Sequence, residues 1–385
     1  MTVQLKGITW DHSRGFVPVV AAAQRFWEQR GVEITWQKRS LHDFGEFPLQ
    51  KLVDKFDLLI IDHPFSGYAA GHPILEPLDE LLPADFLRDQ ADNSVGRSHE
   101  SYHYGGHQWA LATDAATPVA SYRPDLLERY ELELPQTWAE LLTLANTERV
   151  AVPNTPLDAL MNFYFLCASL DDTYLHEETF VKEEVGLWAL EQVRELLSRC
   201  SNECLGRNPI GTYDALASGE EYVYCPLAYG YSNYGRRGYA EHLLKFASPV
   251  AVEGKVGRSV LGGTGIAVSS YCQHKDIAAQ YAQYVNSGLT QRTLYVENGG
   301  QPGHRSAWTS EYANDLTNTF FRDTLDALDN AYLRPRYDGY LHFQDNAAPL
   351  VHEYVNKGGD AKETLKAVQK LFEESKQGTD ALGKS

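Results

Sequence analysis

Phe56-Asp57-Leu58-Leu59-Ile60-Ile61 is a compact apolar run bounded by polar residues. It lacks the alternation of a half-solvated strand, so it fits a parallel strand covered on both faces. Reading outward towards the N-terminus, residues 32–37 are β-branched and aromatic, hence a second strand, and residues 5–10 form another short apolar-rich run. Between those two, Pro18 stands where a first helical turn begins, because its missing N–H is an orphan there anyway. Val19, Ala23, Phe26 and Arg30 follow at helical spacing, Val20 and Trp27 widen the stripe, and Gly31 ends the helix. Residues 48–54 read as a second short helix. The order strand–helix–strand–helix–strand predicts an α/β domain with a parallel sheet.

Downstream the theme repeats less cleanly. Strands are expected at 109–113, 221–227 and 266–269, and helices at 183–197, 213–218 and 275–285, the last with Ile277, Tyr281, Tyr284 and Val285 on one face and Gly288 as its stop. Thr137-Trp138-Ala139-Glu140 is a capping box opening a helix to about residue 145. Asp360 caps the last helix, with Glu363 at the capping-box position and Leu365, Val368 and Leu371 facing inward.

At 385 residues the chain is long enough for two or three domains of roughly 150 residues each. Apolar residues make up 43% and charged residues 22%, ordinary globular usage that excludes global disorder. A net charge of −18 repels phosphate backbones and anionic lipid heads, so nucleic acid and membrane surfaces are not expected partners. The best apolar stretch, 16–23, contains Pro18 and falls far short of the ~18 residues that span a bilayer. The opening Met-Thr-Val-Gln-Leu-Lys has no hydrophobic secretion segment; the protein is expected either to be cytosolic or to begin after a removed signal. Cys167, Cys200, Cys204, Cys225 and Cys272 make an odd set. A small Cys200–Cys204 disulfide is open, but buried thiols are the preferred reading. The 23 tyrosines are rigid rings with polar tips, suited to a recognition surface.

Several motifs carry no chemistry. Gly378-Thr379-Asp380-Ala381-Leu382-Gly383-Lys384-Ser385 satisfies the phosphate-loop pattern letter by letter, but that loop works only between a strand and a helix, and here the chain stops. Gly262-Gly263-Thr264-Gly265 lacks dinucleotide-binding spacing and reads as a tight turn or a close backbone approach. There is no Gly-x-Ser-x-Gly elbow and no His-Glu-x-x-His helix. His99, His103 and His107 are four apart, yet Gly105-Gly106 argues against a helix that would align them, so they are read as a surface loop. No metal or cofactor is expected.

Ligands of open parallel sheets bind at the carboxyl ends of strands. Here those ends are Trp10-Asp11-His12-Ser13-Arg14, Lys38-Arg39-Ser40 and Asp62-His63-Pro64. The carboxylates, imidazoles, guanidinium groups and indole gathered there suit a polar small molecule. The alternative is that Asp11 and Asp62 cap the following turns and Trp10 is core. A second cluster runs Tyr222, Tyr224, Tyr229, Tyr231, Tyr234 and Tyr239, with Asn233, Arg236 and Arg237 interleaved; such rings bind sugar C–H faces or simply fill a surface. A third patch is Asn298 to Arg305, where Arg305 either holds an anionic group or is a solvated arginine.

Taken in order, further segments make the chain resemble the extracellular solute-binding proteins of ABC importers, the group that includes maltose-binding protein. They are Tyr104-Gly105-Gly106, Tyr122-Arg123-Pro124-Asp125-Leu126-Leu127, Leu134-Pro135-Gln136-Thr137-Trp138-Ala139-Glu140-Leu141, Gly262-Gly263-Thr264-Gly265-Ile266-Ala267-Val268 and Asn298-Gly299-Gly300-Gln301-Pro302. The resemblance implies a periplasmic-binding-protein-like (type II) α/β fold with two discontinuous lobes, 1–113 plus 263–306 and 114–262 plus 307–385, around a central cleft. It implies that Trp10, Asp11, Arg39, Asp62 and His63 face the cleft from the first lobe, Tyr229 and Tyr231 from the second, and that Arg305 lies near a crossover. His12, Arg14, Ser40, Asp114 and Gly263 complete the candidate ligand-binding set.

Two functions are expected from this. The first is a non-catalytic ABC-importer component: an extracytoplasmic monomer that closes on a sugar-like or carboxylate-bearing solute, which Arg14, Arg39 or Arg305 would engage, and partners a membrane permease. The second is a cytosolic hydrolase or transferase with Asp11, Asp62 and His12 or His63 as acid–base groups.

Overall fold

The structure is a computed structural model and describes residues 2–40, 49–171, 174–175, 180–204 and 206–378. In chain order its strands are β1 (Gln4–Trp10), β2 (Glu33–Arg39), β3 (Leu58–Ile61), β4 (His103–Tyr104), β5 (His107–Gln108), β6 (Leu111–Ala116), β7 (Pro118–Tyr122), β8 (Tyr224–Tyr229), β9 (Lys245–Ala247) and β10 (Gly262–Val268). Five of them form one sheet in the order β2-β1-β3-β10-β6. β1 runs parallel to β2 and β3, whereas β10 is antiparallel to both β3 and β6.

The apolar run at β3 explains why this sheet is covered twice. Leu58 and Ile60 pack with Val19 and Phe26 of the Ser13–Arg30 helix and with Tyr281 and Val285 of the Lys275–Asn286 helix. Leu59 and Ile61 point the other way, onto Leu52, Phe65, Leu75 and Trp109. A strand with both faces in a core has no position for a polar residue.

The second sheet is antiparallel, β8-β7-β9. It belongs to a larger core whose centre is the Pro156–Leu170 helix, buried almost all round from Asp158 to Ser169. The Glu183–Ser198, Tyr340–Lys357 and Ala361–Ser375 helices surround it. The chain passes between the two bodies at Thr117, whose Oγ1 donates to the Val260 carbonyl beside the return crossing (3.0 Å). Gln301 ties the same junction: its Nε2 donates to the carbonyls of Ala115 (2.8 Å) and Gly230 (3.1 Å), and its Oε1 accepts from the Ser232 N–H (3.0 Å).

Local signals held where caps were explicit. Gly31 is left-handed at φ +68° and its N–H returns to the Trp27 carbonyl. The Thr137 capping box is complete, and Asp360 caps through the N–H groups of Lys362 and Glu363. Elsewhere the expectations shift. The first helix begins at Ser13 rather than Pro18, because the His12 ring accepts from the Arg14 N–H and opens it five residues earlier; Pro18 lies inside. Val20 and Trp27 are exposed, so the buried face is Arg14, Gly15, Pro18, Val19, Ala22, Ala23 and Phe26. Leu49–Lys51 is a single 3-10 turn, and Pro48 lies outside the described residues. Trp109 belongs to the β4–β5 hairpin region, its N–H bonded to the Tyr102 carbonyl, so β6 starts at Leu111. The 213–218 helix starts earlier, at Pro209, on the Asn208 cap, and β8 lies at 224–229. Gly288 is no stop; Ser287 ends one helix and caps the next, Gly288–Thr290.

Candidate functional site

A cavity of about 530 Å³ lies between the two bodies, within the range that holds small-molecule ligands. One wall is made by strand ends. Trp10 is the last residue of β1, Asp62 follows β3, and Gly263 and Thr264 belong to β10. Gly263 sits at φ +98°, beside a register slip at Thr264/Gly265, where a Cβ would lie 2.3 Å from the Asp114 carbonyl oxygen. Only glycine allows β10 to run that close to β6.

The opposite wall is made largely by helix starts. Thr155, Pro156, Leu157 and Asp158 open one helix, and Asn208 and Pro209 open another. Each start combines a cap residue with proline at the first helical position. Tyr229 ends β8, Tyr231 follows it, Arg334 lies in the connection between the Phe320–Asp329 and Tyr340–Lys357 helices, and Gln344 and Asp345 come from the first turns of the latter. The Tyr229 ring lies over Gly262 so closely that a Cβ there would be 2.4 Å from Cε1.

Two buried guanidinium groups bridge the walls. Arg14 forks onto Asp114, its Nε donating to Oδ2 at 2.9 Å and its Nη2 to Oδ1. Its Nη1 donates to the Gly230 carbonyl of the other body (2.8 Å), and the Tyr231 ring lies 4.6 Å away. Burial opposes the Arg14 charge, and Asp114 more than restores it. Arg334 reaches across in the other direction. Its Nη2 donates to both Asp62 oxygens (3.0 and 2.8 Å) and its Nη1 to Gln344 Oε1 (2.8 Å). Burial alone would raise the Asp62 carboxyl, but Arg334 and His63 hold it well below the usual carboxylate range. Both pairs are therefore ionic and internally neutralised.

Asp158 is different. Its oxygen accepts from the Thr155 hydroxyl (2.6 Å), but burial dominates and pushes its carboxyl up to about 6. Burial pushes the Tyr229 and Tyr231 phenols up to about 12, so both stay protonated donors. Thr264 Oγ1 and Arg334 Nε are buried polar atoms of the lining residues without a hydrogen-bond partner in the protein.

Of the residues expected from strand ends and tyrosine runs, Trp10, Arg14, Asp62, Tyr229, Tyr231 and Gly263 line this cavity. Asp114 stands behind Arg14. The others lie outside the lining. Asp11 pairs with Lys38 at 2.7 Å on the surface, and Ser40 is exposed. Arg39 donates to the Ile60 carbonyl (3.3 Å), and Arg305 is paired with Asp329. His12 caps its helix and meets the Tyr239 hydroxyl at 3.1 Å; His63 is fully buried beside Asp62 and Tyr102. Burial pushes both imidazoles down to about 4. Tyr222, Tyr224 and Tyr234 are core. The Asn298–Arg305 patch is the junction held by Gln301. The Cys167, Cys225 and Cys272 thiols are buried, and the Cys204 side chain lies outside the described residues, as do positions 379–385 of the phosphate-loop-like tail. His103 and His107 sit on the β4–β5 hairpin, and among the described residues no group of three His, Cys, Asp or Glu is placed to hold a metal. Among them, too, no helix is long and apolar enough to cross a membrane.

Sequence reading missed Thr155, Asp158, Asn208, Arg334 and Gln344. Thr155-Pro156 and Asn208-Pro209 carried a usable signal, a cap followed by proline. Arg334 and Gln344 carried none.

No family model matches the chain. Solved structures do. Maltose-bound MalE3 from T. maritima superposes with a TM-score of 0.79 at 17% identity, over 97% of this chain and 100% of that one. An ABC transporter solute-binding protein from Agrobacterium radiobacter K84, in complex with ribitol, gives 0.79 at 16% identity over 97% and 98%. An ABC transporter solute-binding protein from Thermotoga lettingae TMO, bound with α-D-tagatose, gives 0.79 at 18% identity over 97% and 100%. The likeness covers nearly the whole chain, so the chain has the two-lobed periplasmic-binding-protein fold.

Proposed function

We propose that the chain is a solute-binding protein, taking one small sugar- or polyol-like solute between its two bodies and presenting it to a membrane importer. One observation carries this: the cavity has a wall from each body, and each wall brings both aromatic or apolar faces and polar groups. A guest that touches both walls favours the arrangement in which they face one another by its differential affinity for that state. Trp10, Tyr229 and Tyr231 supply faces for C–H surfaces, while Thr264 Oγ1, Arg334 Nε and the phenols supply partners for hydroxyls. The similar structures named for maltose, ribitol and tagatose support the same class of guest.

The two lobes on this reading are 1–113 with 263–306, and 114–262 with 307–385. An extracytoplasmic location, a permease partner and a monomeric state go with it. The hydrolase or transferase reading has less support. Asp11, His12 and His63 lie off the cavity, and Asp62 is neutralised by Arg334.

A thermal-shift screen against sugars, polyols, amino acids and organic acids tests the proposal. A true ligand at one hundred times its Kd stabilises by about 2.7 kcal/mol, and mass spectrometry afterwards recovers it unchanged. Absence of any stabilising sugar or polyol, or conversion of the hit, overturns it.

A further inference from the structure

The charge on the cavity walls separates classes of sugar-like guest. The only cations among the described lining residues are Arg14 and Arg334. Arg14 is forked onto Asp114 and also holds the Gly230 carbonyl. Arg334 is bound to both oxygens of Asp62 and to Gln344. Neither has charge left over for a carboxylate guest. Asp158 stands on the helix-start wall in addition to those pairs, so with Asp62 and Asp114 the two guanidinium groups face three carboxylates. Asp158 is 8% exposed and, among the described residues, its side-chain donor is the Thr155 hydroxyl. A carboxylate that deep is ordinarily matched by a cation or gives up its charge. Trp10, Tyr229 and Tyr231 add aromatic rings that attract a cation at their faces.

Resting on the solute-binding reading above, we propose that the preferred guest is an aminated sugar or polyol, its protonated amine against Asp158 and its hydroxyls against the Thr264 Oγ1 and Arg334 Nε atoms. The elevated carboxyl of Asp158 fits a group whose counter-cation arrives with the ligand. There is a purely structural role for this residue, because an acid in the first turn of a helix complements its dipole. That role predicts no preference between guests, and the two accounts therefore separate.

The test is a calorimetric titration with matched sets: D-glucose, D-glucosamine and D-glucuronate; sorbitol, 1-amino-1-deoxysorbitol and gluconate; and the corresponding triplets of any sugar that stabilises the protein. Within the set that binds, the amino member is expected to bind tightest, by about tenfold or more over the neutral one, as a charge-assisted hydrogen bond supplies. The acid is expected to bind weakest. In Asp158→Asn the advantage of the amine over the neutral member falls to within about threefold. A neutral or acidic member binding tightest in the wild-type protein overturns the inference and leaves the solute-binding reading standing. An undiminished preference for the amine in Asp158→Asn overturns the role of that residue. No binding by any member of any set overturns the solute-binding reading itself.

Discussion

The two walls of the cavity are built on opposite principles. The strand-end wall is fixed by sheet register, since Trp10 is paired with Arg39 and Asp62 follows directly on β3, and the charged groups it carries are matched by guanidinium groups. The helix-start wall is positioned by caps, and it carries Asp158, whose charge burial suppresses. The carboxylates of the first wall are matched by protein cations, Asp114 by Arg14 and Asp62 by Arg334 reaching across from the other wall. Asp158 of the second wall has no such cation partner among the described residues, only the Thr155 hydroxyl.

The largest expected effect breaks the strand-end wall. Asp114→Asn leaves Arg14 buried without its counter-charge and is expected to cost about 3–5 kcal/mol in chemical denaturation. Asp62→Asn should cost less, because the Asp62 side chain is 19% exposed. An Asp114→Asn protein as stable as the wild type would show that the fork is dispensable.

The next effect belongs to the helix-start wall and has the opposite sign. The folded-state value of about 6 for Asp158 lies above the unfolded value of 3.8. The folded chain therefore binds the extra proton between those values, and stability falls as pH rises from about 4 to 6. Above pH 6 the penalty is complete, up to about 3 kcal/mol. Asp158→Asn is expected to be more stable than the wild type at pH 7.5, with the gain shrinking below pH 5. Denaturation midpoints at the two pH values read this directly, and a pH-independent difference would deny that burial is the cause.

A fourth substitution acts where the walls meet. Gly262→Ala places a methyl group against the Tyr229 ring and should displace it, weakening solute binding about tenfold with a smaller loss of stability. The smallest effect is expected at Arg305. Its pair with Asp329 is about one-third exposed, so Arg305→Ala should cost under about 1 kcal/mol and leave solute affinity unchanged.

The same division explains what the sequence made legible. Strand-end residues stand next to apolar runs, and chain order alone brings Trp10, Arg14 and Asp62 into one neighbourhood. Tyr229 and Tyr231 were found by their repetition, although most of that tyrosine cluster proved to be core. Arg39 and Arg305 misled because charge says nothing of partners: the backbone of β3 and Asp329 take them. Arg334 was invisible, since its place in the site comes from a connection between two helices that meets Asp62 272 residues away in sequence. The Pro18 helix start failed because a histidine cap opens the helix five residues earlier.

The central claim, that one guest is held by both walls, is tested most directly by amide hydrogen exchange with and without a saturating concentration of the best-binding sugar. The account predicts simultaneous protection at the strand ends around residues 10–14 and 61–63 and at the helix starts around 155–160 and 208–212. Protection confined to one wall, or located away from both, would contradict it.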